Sequence, residues 1–183
     1  MKIINILLSN KNGGVEDAFI THCEILQKAG GTKNNILAIV KTGAPYADCL
    51  ANLGIEVIEV KNNFGYYDFI AQRKIAKIIS NFSPNLVSAH VGRGIYFAKK
   101  ILHKQNIALL AVNHSNNVKR SIGADAILCV NEEIHKKAVS LGQNPKKTWT
   151  IPNVIKFDEK EIIKIPYNDF SANSEIIIGA MGR

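Results

Sequence analysis

The 183-residue chain is 46% hydrophobic and 21% charged, a balance that excludes disorder and suits one domain with a substantial core. No apolar run approaches the roughly 18 residues of a membrane-spanning helix. The formal charge of +8, from 23 Lys and Arg against 15 Asp and Glu, points to polyanionic partners, unless a bias toward lysine and asparagine accounts for it.

In chain order, residues 2–8 form the first expected strand; Asn5 interrupts the run and no small-residue cleavage site follows, which argues against a signal peptide. Ser9–Gly14 is a loop, and the helix after it shows an apolar stripe at Ala18, His22, Ile25, Leu26 and Ala29, stopped by Gly30 and Gly31. A strand at 35–41, a helix near 45–53 and a strand at 55–60 follow. The next helical stripe is Ala71, Ile75, Ile78, Ile79 and Phe82, ending near Ser83 and Pro84. After a strand at 86–90 comes a third stripe, Ile95, Ala98, Ile101 and Leu102. Strands at 107–112 and 125–130, a helix at 132–140 and weaker strands at 148–151 and 176–179 complete the pattern. Apolar runs alternating with helical periodicity predict an α/β fold, a Rossmann-like doubly wound parallel sheet. Residues 156–174, rich in Lys, Glu, Asn and Asp, read as a linker. The chain closes on a strand that runs into Gly182 and Arg183 with nothing to use the turn, so a second domain is expected to begin at 175–183 after a first domain of 1–155.

The three cysteines, Cys23, Cys49 and Cys129, are odd in number and set in apolar stretches, as expected of reduced core thiols in a cytoplasmic protein. In a doubly wound sheet, ligands lie beyond the carboxyl ends of the strands. Three polar clusters fall there: Ser9–Gly14, His90–Arg93 and Asn113–Asn116. Gly13 and Gly14 precede a helix opening Val15-Glu16-Asp17, where backbone N–H groups favour an anion; a tight turn, with both acids satisfying the helix dipole, is the other reading. The dinucleotide and P-loop fingerprints are absent, as are zinc-ligand spacing and a nucleophile elbow. His114 and His90 each end a strand and either serve a ligand or merely bond loop backbone. His22 lies on an apolar stripe as a core histidine, and His103 and His135 sit among lysines as solvated ones. Arg93, Lys99, Lys100 and Lys104 form either a solvated face or a basic edge for an anionic membrane or lipid-linked acceptor. No aromatic residues interleave with the basic clusters in sequence, which counts against nucleic acid.

The order Gly-Gly-Val-Glu before a helix, Pro84–His90, Val112-Asn-His114, Gly123–Val130, Ile151-Pro-Asn-Val154 and the closing Gly182-Arg183 resembles the N-terminal half of GT-B glycosyltransferases of family 4. The resemblance implies two Rossmann-like domains facing a cleft and sugar transfer from a nucleotide-sugar donor to a cell-envelope or polysaccharide acceptor. Transfer would proceed with retention and without metal or cofactor, and this chain alone would be inactive. It further implies His114 as the catalytic histidine against the donor sugar, with Gly13, Gly14, Ser115 and Arg183 on the donor. His90 and Arg93 would line the acceptor side. The implied partners are the donor and a lipid-linked or saccharide acceptor; the basic clusters add an anionic membrane surface, for a cytoplasmic protein peripheral at the inner face of the membrane. Three features depart from the family pattern: only eight residues separate His114 from Gly123, Ile155-Lys156 follow the Ile-Pro-Asn-Val segment, and Asn131 stands where serine is usual. A nucleotide-sugar epimerase half and a stand-alone binding module are the competing readings.

Overall fold

Runs such as Ile3–Leu7 and Ile36–Val40 lack polar alternation, as strands covered on both faces must. A computed structural model of the chain describes residues 1–29 and 35–153. Its strands are β1 (Ile3–Leu7), β2 (Ile36–Lys41), β3 (Glu56–Val60), β4 (Leu86–His90), β5 (Ala108–Asn113), β6 (Ala126–Cys129) and β7 (Thr148–Thr150). The helices are α1 (Gly14–Ala29), α2 (Ala47–Asn52), α3 (Phe69–Phe82), α4 (Val91–Leu102) and α5 (Glu132–Ser140), with 3-10 turns at Gly65–Tyr67 and Pro145–Lys147. The strands form one sheet in the order β3-β2-β1-β4-β5-β6-β7, with every pairing parallel. Strand order reverses between β1 and β4, where Ile6 lies opposite Ile39 on one side and Ala89 on the other. The expected doubly wound α/β fold is what the chain adopts.

Two apolar cores flank the sheet. One packs α1 and α2, through Phe19, Cys23, Ala47 and Leu50, against Ile3, Leu7, Ile36 and Val40. The other packs α3, α4 and α5, through Ile75, Ile79, Ile95, Ala98 and Ile134, against Ile4, Ile6, Val87 and Ala89. Gly94 sets the close approach of α4 to β1, since a Cβ there would stand 3.2 Å from the Ile6 carbonyl oxygen. Asp68 caps α3, accepting from the Ala71 N–H (2.9 Å) with one oxygen and from Asn63 and Phe64 with the other. These backbone N–H bonds, Ala71 first, hold its carboxyl below the usual range. Ser83, in the left-handed region at φ 50°, ends α3 where its sequence predicts.

The structure also corrects details. In α1 the covered face runs through Ala18, Phe19 and Cys23, and Ile25 is 47% exposed. Cys23 and Cys129 are buried thiols as expected, but Cys49 is exposed on α2. His135 is half-buried and pairs with the Thr150 hydroxyl at 3.0 Å instead of standing in solvent. Asn131, in the place of the usual serine, caps α5 by accepting from the Ile134 N–H. The short β5–β6 crossover holds no helix. It is pinned by buried Val118 and by Ser121, whose hydroxyl donates to Asn113 Oδ1 at 2.7 Å. Among the described residues no helix is long and apolar enough to cross a membrane. The expected boundary at 155, the linker at 156–174 and the strand at 175–183 lie outside the described residues.

Candidate functional site

A doubly wound sheet opens a crevice where strand order reverses, because the chain leaves β1 and β4 toward opposite faces. Here that crevice is a cavity of about 390 Å3. One wall is the β1–α1 loop, Ser9 and Lys11–Gly14 with Val15 and Glu16; the other is the β4–α4 junction, Val91–Arg93, with Tyr66 closing the side. Gly13 begins the first turn of α1, its carbonyl accepting from the Glu16 (2.9 Å) and Asp17 (3.0 Å) N–H groups. A Cβ at Gly14 would meet nothing within 4 Å, so this glycine faces open space. Glu16 is buried and accepts from the Ser9 hydroxyl at 2.6 Å. The α1 N-terminus therefore already holds one carboxylate, which offsets its attraction for a second anion. The wall is polar and suited to hydroxyl groups: Ser9, Asn12, Glu16, Tyr66 and Arg93.

The β4–α4 junction is strained. Val91, β-branched, has φ 52°. A left-handed L-residue costs about 1–2 kcal/mol, and such conformations gather at functional sites. Next to it, a Cβ on Gly92 would stand 2.8 Å from the Tyr66 hydroxyl, so only glycine admits the present Tyr66 position. Arg93 reaches back to β3's exit loop, its Nη1 donating to Asn62 Oδ1 at 2.9 Å.

One strand over, three histidines meet. His90, the last residue of β4, is 0% exposed and lies 3.1 Å, Nδ1 to Nε2, from His114 just beyond β5. The ring planes are 23° apart with centroids at 5.3 Å, and with that nitrogen contact the rings lie edge to edge. From α1, Phe19 and His22 each present an edge to His90 at 5.1 Å. Burial holds His90 well below the usual imidazole range, with His22 and His114 adding to the effect. His114 falls to about 4, chiefly by burial and then by His22, while Glu16 and Asn153 act the other way. Burial lowers His22 as well. Near neutral pH the rings are uncharged, so one of the two facing nitrogens carries the hydrogen of the pair. His90 Nε2 and His114 Nδ1 are buried atoms with no hydrogen-bond partner; Asn153 approaches His114 without a bond of good geometry to Nδ1. If His90 donates, the core keeps a bare nitrogen at His90 Nε2 instead of an orphaned N–H, and the His114 hydrogen sits on the buried Nδ1.

The expected rim thus splits. Gly13, Gly14 and Arg93 line the cavity at the reversal point. His114 is half-buried and Ser115 exposed beside it, outside the cavity lining but close enough for Glu16 to act on His114. His90 has no exposed area and lies outside the cavity lining; toward the rim it meets His114. Arg183 lies outside the described residues. Sequence reasoning missed Tyr66 and Glu16 as cavity residues. It also missed that basic and aromatic groups do interleave in space, Arg120 over Tyr66 at 4.2 Å and Lys100 over Tyr96 at 5.3 Å. Among the described residues no cluster of His, Cys, Asp and Glu could hold a metal ion.

No protein-family model matches the chain. No curated protein sequence matches it either. Solved structures do. HepE from Anabaena, in complex with UDP-glucose, superposes with a TM-score of 0.68 at 16% identity over 85% of this chain and 44% of its own. The lipopolysaccharide outer core galactosyltransferase WaaB gives 0.70 at 14% identity over 87% of this chain and 47% of its own. A UDP-N-acetylglucosamine 2-epimerase from Rickettsia bellii gives 0.58 at 13%, over 84% and 45%. The chain spans less than half the length of each, and at these identities the likeness establishes the fold.

Proposed function

We propose that the chain is the acceptor-side half of a glycosyltransferase. In this reading a sugar moves from a nucleotide-sugar donor to a saccharide or lipid-linked acceptor of the cell envelope. The observation that carries the proposal is the polar crevice at the strand-order reversal with His114 beside it, on a fold shared with HepE and WaaB. The donor would be held mainly by a second domain, with Gly13, Gly14, Ser115 and Arg183 contributing from this half. Arg93 and the cavity wall would take acceptor hydroxyls. The bond from the anomeric carbon to the leaving phosphate breaks, the diphosphate leaves with the electron pair, and the acceptor oxygen bonds that carbon as it loses its proton. Retention at the anomeric carbon, family-4 membership and a cytoplasmic, peripheral setting belong to the same proposal. With a pKa of about 4, His114 is neutral at physiological pH, which argues against a role as a proton source.

The test is His114→Ala in the complete natural protein, assayed with a panel of UDP-, GDP- and ADP-sugars. A half-buried side chain at the rim should leave the fold intact while kcat and kcat/KM fall together. Unchanged kcat removes His114 from the reaction. The epimerase neighbour supports a second reading. Product analysis separates the two, since an epimerase returns an altered nucleotide-sugar and leaves the acceptor untouched. The 183 residues alone are expected to fold yet bind no nucleotide-sugar at micromolar levels in calorimetric titration. Micromolar binding would overturn the two-domain arrangement.

A further inference from the structure

The net charge of this protein has an address. Between Asp68 and Asp125 there is no acidic residue, and nine of the 23 Lys and Arg fall there; the rest of the chain holds 14 against all 15 acids. The stretch builds α3, α4 and the β5–β6 crossover, which pack on the same face of the sheet through Ile75, Ile95 and Val118. One outer layer is therefore strongly basic. The layer opposite carries Glu16, Asp17 and Glu24 on α1 and Asp48 on α2.

At the rim of that basic layer, the turn from β3 into α3 exposes four large apolar side chains within seven residues. Phe64 is 70% exposed, Tyr67 77%, Phe69 62% and Ile70 77%. The turn itself is rigidly held. Asp68, buried between these residues, accepts three backbone N–H bonds, and Asn62 Nδ2 donates to the Gly65 carbonyl at 2.8 Å. Folding fixes an apolar cluster in water, a costly arrangement that marks interaction surfaces. Its cations sit at its edge: Lys100 lies over Phe69 at 5.6 Å, and Lys100 and Arg73 flank Phe69 in a shared depression. Tyr66, in the same turn, closes the crevice described above.

We propose that this surface docks on an anionic lipid bilayer, with Phe64, Tyr67, Phe69 and Ile70 entering the headgroup–acyl boundary and the acid-free α3–α4 stretch lying against the lipid phosphates. Aromatic side chains with apolar bodies and cations that snorkel around them are the chemistry of that boundary. A single-stranded nucleic acid would use the aromatic faces and the charge, but it has no use for Ile70, the most exposed aliphatic residue of the turn. Under the acceptor-side reading, a bilayer held here brings lipid-linked acceptors to the mouth of the crevice beside Tyr66.

The test is co-sedimentation of the chain with vesicles. Binding is expected to mixed phosphatidylglycerol–phosphatidylcholine vesicles and not to phosphatidylcholine alone. Phe69→Ser with Ile70→Ser should cut partitioning about tenfold or more at any salt concentration, from lost apolar burial. Arg73→Glu with Lys100→Glu should cut it at least about tenfold at low salt, an effect that fades as salt rises. All four side chains are exposed, so the variants should keep the parent's circular dichroism and melting temperature. The proposal is overturned if the serine pair binds vesicles as the parent does, or if binding ignores lipid charge. It is equally overturned if the parent leaves vesicles unbound and instead self-associates, or binds single-stranded nucleic acid, through these residues. Turnover of a soluble saccharide acceptor by the complete protein should survive the serine pair. Loss of membrane binding and failure of the transfer reading are thus separate results.

Discussion

Lowering the pH should strip stability from this protein well before its carboxylates protonate. His114 has an ordinary imidazole value in the unfolded chain, 6.5, and about 4 in the folded one. The folded state therefore binds fewer protons than the unfolded state between these values, and stability falls as pH falls through that window. At pH 5 the unfolded imidazole is almost fully protonated and the folded one hardly at all, so His114 alone removes about 2 kcal/mol relative to pH 8. His90 and His22, also held down by burial, act in the same direction. Glu16 opposes them, since its charge draws a proton toward His114. With a urea slope of about 2 kcal/mol per molar for a domain of this size, the midpoint should drop by about 1 M or more between pH 8 and pH 5. The assay is urea unfolding at pH 8, 6.5 and 5 for the parent and for His114→Gln, whose amide does not titrate. The variant should recover about 2 kcal/mol of the loss at pH 5 while differing little from the parent in its pH dependence above 7. Equal midpoint shifts in both proteins would refute the reasoning, as would an NMR titration placing the His114 imidazole near 6.5.

Other outcomes follow from the same geometry. At Val91, φ 52°, glycine should outrank alanine by about 1 kcal/mol in thermal melts, the reverse of helix propensity, because glycine alone tolerates the left-handed region. Asp68→Ala removes the α3 cap and should lower stability by about 1–2 kcal/mol, with a fall in melting temperature of roughly 3–8 °C. That penalty should shrink below the ordinary carboxyl value of 3.8, since a depressed carboxyl stabilises above it and loses its effect as pH falls. An aromatic disulfide reagent should label Cys49 alone in the native protein and all three thiols in denaturant. Burial pushes Cys23 up to about 12 and Cys129 up to about 11, and both are 0% exposed.

The fold was largely legible because parallel strands covered on both faces read as plain apolar runs, and those from Ile3 to Val130 fall within a residue or two of the observed strands. The face of α1 was not. Its sequence supports two overlapping stripes at helical spacing, one through Ala18, His22 and Ile25 and one through Phe19, Cys23 and Leu26. Contacts outside the helix choose between them: Phe19 sets its edge against Tyr46 at 5.9 Å and against His90, which turns Ile25 to solvent. The aromatic turn at 64–70 escaped notice because its residues follow neither period, and its exposure depends on the hydrogen bonds of Asp68.

For the site, strand ends gave position but not direction, and direction decides what His90 does. Side chains alternate faces along a strand, so Val87 and Ala89 face α3 and α4 while Leu86 and His90 face α1. On β5 the odd residues Leu109 and Ala111 join the α3–α4 core, which turns Val112 to the α1 side with His90, its register partner. His114 stands two residues beyond Val112 and so, by the same alternation, returns to that side, past the strand end and against His90. Two even-numbered histidines on paired strands, one of them two residues beyond register, are thus forced together under α1, where His22 already waits one helical turn from Ala18. That parity was present in the sequence once the register was known, and no single-strand reading exposes it. A one-residue slip of β4 against β5 would send one histidine to the opposite core and leave the other alone. The contact is therefore a property of the sheet as a whole, and through it the buried His90 fixes the orientation of the His114 ring.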